Sequence, residues 1–130
     1  MVGINYLAVV AAAIAAFVFS AVYYGLLANT AAQYSAAWAE QSGSPVVVAA
    51  FELGKGLVLA LVVAGLDRGL GIDSSAAALA LAVVLWVAFP LLLLAGSVVH
   101  ENVAWQLAAI HAGDWLAKLA IVAVIVTVWR

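Results

Sequence analysis

Apolar residues fall into four long runs, over about 5–27, 46–66, 76–99 and 103–129, with short polar interruptions between them. Each run reaches the roughly 20 residues that a helix rising 1.5 Å per residue needs to cross a hydrocarbon core of about 30 Å. The runs lack period-2 alternation and are about twice the length of a barrel strand. The pattern predicts an all-α, polytopic membrane protein: a four-helix transmembrane bundle forming one domain over residues 1–130. No Lys or Arg precedes the first run, and its apolar stretch is longer than the usual 7–15 residues of a signal peptide. It is expected to be a retained helix.

The interruptions predict how the helices connect. Residues 29–44 are small and polar, and Tyr34 and Trp38 stand at i, i+4 spacing. That predicts a short interfacial helix between helices one and two, with both rings at headgroup level. Pro45 suits the first turn of the second helix. The second connection is expected over residues 67–75, where glycines break the helix and Asp73, Ser74 or Ser75 caps the third. The third, around His100, Glu101 and Asn102, is so short that helices three and four should form an antiparallel hairpin. Pro90 should kink helix three. Ala12, Ala16 and Ser20 form a stripe of small residues suited to close helix contact.

Composition sharpens this picture mainly by exclusion. Of 130 residues, 70% are apolar and 8% charged, and the mean hydropathy is +1.29. Soluble domains carry about 25% charged residues, so a soluble enzyme or binding domain is excluded. The absence of cysteine removes disulfides and thiolate metal sites. A net charge of −2 with no basic run argues against nucleic acid as a partner. Outside the runs, Arg68 and Arg130 are the only cations. The positive-inside rule then puts the second connection and both termini in the cytoplasm, and the Tyr34/Trp38 segment on the outer face.

The candidate chemistry lies in the ionisable residues within the runs: Glu52 and Lys55 in the second, and His111, Asp114 and Lys118 in the fourth. A charge at a helix centre costs about 2.5–3.5 kcal/mol on the insertion scale, while Leu, Ile, Val or Phe returns about 0.3–0.6. The twelve such residues between Val46 and Leu66 supply roughly 5 kcal/mol, about what Glu52 and Lys55 remove. These helices should be stable only when the charges meet one another or water. At 100° per residue, Glu52 and Lys55 share one face, as do His111, Asp114 and Lys118; Ser20, Tyr23 and Tyr24 share a third. Measured from the outer ends, Glu52 and Lys55 lie roughly 9 and 13 Å deep, and His111 and Asp114 roughly 12 and 16 Å. The expectation is one buried polar layer in which Lys55 faces Asp114 and Glu52 faces His111. If Lys55 pairs with Asp114, replacing it with Met should sharply lower stability in detergent.

Three readings of that layer stand side by side, the third being metal or catalytic use. Buried opposite charges can simply fix helix register. They can also form a proton or small-solute pathway, since imidazole changes charge near neutral pH and a carboxylate can relay protons. Elsewhere the chemistry is thin. His100 and Glu101 begin an H-E-x-x-H pattern, but position 104 is Ala. His100 and His111 would lie about 16 Å apart on one helix, too far to share an ion. Both His100 and Glu101 are expected at the outer interface as secondary candidates. Trp86, Trp105, Trp115 and Trp129 read as packing or interfacial anchors. No phosphate-loop, nucleophile-elbow or dinucleotide motif occurs, so no catalytic residue, metal ligand or cofactor is assigned.

The opening Asn5-Tyr6-Leu7-Ala8-Val9-Val10, with Ala15-Ala16-Phe17-Val18 and Tyr23-Tyr24-Gly25, resembles the start of the domain-of-unknown-function family DUF1761. Ile110-His111-Ala112-Gly113-Asp114-Trp115-Leu116-Ala117-Lys118, followed by Trp129-Arg130, resembles its last helix, and the likeness spans the chain. Tyr23-Tyr24 stands where Trp-Tyr is frequent, and Ser20 where Gly is common. The resemblance implies a small integral protein of a bacterial-type inner membrane with four helices. It implies no activity.

Three functions follow as expectations. The first is a proton, ion or small-solute transporter or channel-like protein built on the polar layer. The second is a structural or accessory subunit of a membrane complex, and the third an intramembrane enzyme. Four short helices hardly enclose an aqueous path alone, so the lipid bilayer is joined as partner by a second copy, in a dimer or trimer, or by another membrane protein. A transporter should show a cavity reaching Glu52, Lys55, His111 and Asp114. An accessory subunit should show those groups mutually satisfied and dry.

Overall fold

The computed structural model describes residues 3–36 and 43–130. Four helices are long and apolar enough to cross a membrane: α1 Tyr6–Tyr34, α2 Pro45–Leu70, α3 Ser75–Glu101 and α4 Trp105–Val128. No strand occurs among the described residues. In hydrocarbon every backbone N–H and C=O must find its partner within the chain, and a continuous helix does this locally. The chain is an all-helical, multi-pass membrane protein.

Local signals set the helix ends. Asn5 caps α1, its side chain accepting from the Leu7 and Ala8 amides at 3.0 and 3.3 Å. Pro45 occupies the first turn of α2. At the other end of α2, Gly71 adopts φ +68°. Its amide and that of Ile72 return to the carbonyls of Arg68 and Asp67, at 3.3 and 2.9 Å. This paired closure satisfies carbonyls that the helix end would otherwise strand. Ser74 caps α3 by accepting from the Ala77 amide at 3.2 Å. Pro90 is absorbed in a single π-helical turn over Val87–Leu91. The wider turn accommodates the ring and the missing amide without ending the helix.

Two connections differ from expectation. Asn29 to Tyr34, expected at the start of the interfacial segment, belong to α1, which Ser35 ends with extended backbone; Ala36 is again helical, and residues 37–42, where the rest of the expected interfacial helix falls, lie outside the described residues. Trp38, expected to pair with Tyr34, lies outside the described residues. The second connection is shorter than residues 67–75, because α2 continues through Asp67 and Arg68 to Leu70.

The bundle is organised around α4, which packs against all three other helices, while α1 also packs against α2. The core joins small residues of α1 (Ala12, Ala13, Ala16) to Ala60, Val63 and Ala64 of α2, Ala78 and Ala82 of α3, and Leu119, Val122 and Val126 of α4. Small side chains bring the backbones together, which drives association where hydrophobic burial gains little. At Gly56 the approach is tight: an added Cβ would sit 3.4 Å from the Ala13 carbonyl oxygen. The first-residue end of α1 lies beside the last-residue ends of α2 and α4, and Asn5 donates to the Trp129 carbonyl at 3.4 Å. One end of the bundle, the arginine end, thus gathers Asn5, Asp67, Arg68, Thr127 and Arg130. The opposite end carries the start of α2.

Candidate functional site

Above the apolar core, three helices contribute a polar layer. Asp114 of α4 is 2% exposed, and both carboxylate oxygens are held. Ser20 of α1 donates to Oδ1 at 2.6 Å, and Lys118, one turn along α4, places Nζ 2.9 Å from Oδ2. Lys118 is itself buried, and its ammonium lies 4.3 Å from the centre of the Trp115 ring. A charge this deep persists in an apolar bundle only when paired and hydrogen-bonded, and both conditions are met.

The aromatic pair of α1 completes this seam. Tyr23 donates its hydroxyl to the Ile110 carbonyl at 2.6 Å. Tyr24 and His111 Nδ1 share a hydrogen bond of 2.6 Å. Gly113 makes the Tyr23 bond possible, because a Cβ there would stand 2.6 Å from the Tyr23 hydroxyl. The segment His111-Ala112-Gly113-Asp114 therefore acts as a unit against α1: imidazole, clearance and carboxylate meet Tyr24, Tyr23 and Ser20 in turn.

Glu52 and Lys55 of α2 behave differently. They form an i, i+3 ion pair of 3.0 Å, with side chains 36% and 37% exposed. Lys55 also approaches the Trp115 ring, 5.6 Å from its centre. The expected cross-helix pairing is corrected on both counts. Lys55 pairs with Glu52 and Lys118 with Asp114, each within its own helix, and His111 Nδ1 meets Tyr24. A partner one turn away on the same helix is already at contact distance, whereas a depth-matched partner on another helix must also point the right way. Trp115 is therefore part of the layer, standing between two ammonium groups. It lies four residues from His111 and three from Lys118, and that spacing was a signal for its place.

The polar groups line a cavity of about 590 Å³. Its walls include Ser20 and Tyr24 of α1, Glu52 and Lys55 of α2, and His111, Asp114, Trp115 and Lys118 of α4. Gly43, Pro45 and Val48 line its other end, at the start of α2. From Pro45 to Lys55 the helix rises about 15 Å, so the cavity reaches from that end to mid-depth, where the core closes it. Among the expected residues, Tyr23 packs behind this wall. His100 and Glu101 are exposed at the far end of α3, away from the layer. Among the described residues, no three His, Cys, Asp or Glu side chains are placed to hold a metal ion.

A second polar cluster occupies the arginine end. Asp67, 1% exposed, accepts a hydrogen bond from Thr127 through Oδ1. Its Oδ2 has no hydrogen-bond partner but lies 3.9 Å from Arg68 and 3.6 Å from Arg130. Sequence reasoning placed Asp67 in a connection and missed this. The signal was its helical spacing from Ala60, Val63 and Ala64, which puts it on the core-facing side of α2.

No curated protein and no solved structure matches the chain. A family model described as "Protein of unknown function (DUF1761)" matches residues 7–127, nearly the whole chain, and takes in every residue of the polar layer: the chain belongs to the DUF1761 family.

Proposed function

We propose that this is a transport-type membrane protein in which protons or a polar solute reach the Glu52–Lys55–Asp114–Lys118 layer from one face of the membrane. The observation that supports this reading is the 590 Å³ cavity whose walls carry all four of those residues together with His111. A purely register-fixing layer needs no such space. With Arg68 and Arg130 placed in the cytoplasm by the positive-inside rule, the cavity opens outward and both termini lie inside, in a bacterial-type inner membrane. Beyond the layer, small and branched apolar side chains (Ala16, Ala60, Val63, Val122) close the way to the arginine end. Passage therefore requires a second conformation in which that packing opens.

In this scheme Glu52 is the carboxylate that meets the solute or proton first, since it is half-exposed and nearer the mouth than Lys55. His111 and Tyr24 form a proton-exchanging pair on the opposite wall. Asp114 and Lys118 are the fixed counter-charges. A second reading, an accessory subunit or a homo-oligomer, is favoured by α3. Only 11% of its apolar window is buried, so a broad apolar face is left to lipid or to another helix.

The test is flux in reconstituted liposomes. Wild-type protein should dissipate an imposed pH gradient, or release small polar solutes, faster than protein-free liposomes, and Glu52→Gln should slow it. Wild-type liposomes that hold both as tightly as protein-free ones would contradict the reading.

A further inference from the structure

Among the described residues, the polar contacts between helices at the arginine end converge on the end of α4, from Thr127 to Arg130. Thr127 donates to Oδ1 of Asp67 in α2, and the Arg130 guanidinium lies 3.6 Å from Oδ2 of the same carboxylate. Asn5, the cap of α1, donates to the Trp129 carbonyl at 3.4 Å. Arg130 is folded back on this turn, its Nε donating to the Thr127 carbonyl at 3.1 Å. Val63 and Ala60 stand about 6 and 10.5 Å deeper on α2 than Asp67, in one core cluster with Val122 and Val126 of α4. The end of α4 must therefore part from α2 before anything passes that core.

Asp67 and Asp114 are both buried acids, 1% and 2% exposed, but they are held differently. Asp114 has contacts of 2.6 and 2.9 Å on its two oxygens. Oδ2 of Asp67 accepts no hydrogen bond and has two guanidiniums near it, Arg130 at 3.6 Å and Arg68 at 3.9 Å. Those arginines belong to different helices. Arg130 follows α4 and leaves with it. Arg68 is the next residue on α2, so it stays beside Asp67 whatever α4 does. A buried carboxylate stripped of its cation is costly, and here a second cation is already in place.

We propose that Asp67 is a two-position latch on the arginine end of the bundle. In the closed position Thr127 and Arg130 hold it to α4. In the open position α4 has withdrawn and Arg68 alone neutralises it. The latch rests on the transport reading above, in which this end must open, and names what holds it shut. Exchanging one cation for another keeps Asp67 paired in both positions. Opening then loses one hydrogen bond and one long ion contact without stranding a charge, which keeps the two positions close in free energy, as a bistable element requires. A carboxylate that only braced the helix ends would use both arginines alike. The latch sets them against each other: Arg130 favours the closed position and Arg68 the open one.

The experiment places Ala60→Cys in uniformly oriented liposomes and applies a membrane-impermeant maleimide to each face. Arg130→Gln should raise labelling of position 60 from the arginine face by up to about fivefold, the reach of one half-exposed ion pair. Thr127→Val, which removes a hydrogen bond to a charged group, should raise it by at least about tenfold. Adding Arg68→Gln to either variant should bring the rate back down. Labelling from the opposite face should stay at background throughout, since a bundle loosened as a whole admits reagent from both sides. Arg130 is 42% exposed, so Arg130→Gln is expected to fold, and helical circular dichroism checks each variant. Position 60 unchanged in both Arg130→Gln and Thr127→Val, labelled equally from both faces, or labelled still faster when Arg68→Gln is added, overturns the latch. Proton and solute flux is read separately in the same liposomes. Flux without any change at position 60 removes the latch and keeps the transport reading. Labelling that follows the two arginines in opposite directions supports the latch, and if nothing crosses those liposomes it is the transport reading that falls.

Discussion

Ser20 and Asp114, 94 residues apart in sequence, are joined by a 2.6 Å hydrogen bond across the contact between the first and last helices. The carboxylate that receives it is also the partner of Lys118. One buried acid therefore links helix packing to the charge balance of the polar layer, and its neighbours carry measurable consequences.

Removing Lys118 should be costly. Lys118→Met leaves Asp114 buried with its cation gone, a change expected to destabilise by about 3–5 kcal/mol. Ser20→Ala leaves Oδ1 without its donor and should cost about 1–3 kcal/mol. Thermal or denaturant unfolding in detergent checks both, and a Lys118→Met protein as stable as wild type would remove the buried pair from the description.

Lys55 should behave otherwise. Its partner is Glu52, and both side chains are more than one-third exposed, so Lys55→Met should cost no more than about 1 kcal/mol. This reverses the large loss expected from a Lys55–Asp114 pair. A loss comparable to that of Lys118→Met would restore the cross-helix pairing.

Gly113 offers a test of fit. Gly113→Ala drives a Cβ to within 2.6 Å of the Tyr23 hydroxyl and should destabilise by about 1–3 kcal/mol. Tyr23→Phe removes the clashing oxygen, so the double variant should be more stable than the sum of the single losses predicts. Strict additivity would show that the two residues do not touch.

At the arginine end, Asp67→Ala should cost about 3 kcal/mol, because Thr127, Arg68 and Arg130 all address that carboxylate. Asp73, six residues on and exposed, is the control, and Asp73→Ala should stay within about 0.5 kcal/mol. Equal effects would mean that Asp67 is as solvated as Asp73.

These contrasts mark what the sequence made legible. Four helices followed from run length alone, and the candidate layer from the rule that a charge in hydrocarbon needs compensation. Ser20, Tyr24, His111 and Asp114 were found by 100° spacing together with depth. Pairing was not legible, because depth along a helix says nothing of which neighbour its face meets. The reach of α2 was misjudged because Asp67 and Arg68 look like connection residues. Only the Gly71 closure and the stripe of Ala60, Val63 and Ala64 show that the helix continues beneath them. Trp115 passed as a packing anchor because its role depends on two lysines from different helices, which no single-helix pattern reveals.

The central claim is that the polar layer is wet and reached from one face only. The chain has no native cysteine, so single substitutions report cleanly. Ala49→Cys, on the cavity wall, and Ala60→Cys, in the closed core below it, are to be labelled in liposomes with a membrane-impermeant, water-soluble thiol reagent added to each side in turn. Fast labelling of position 49 from the face opposite the arginine end, with position 60 silent from both, is the predicted result. Silence at position 49 from both faces would show a dry layer and contradict the claim.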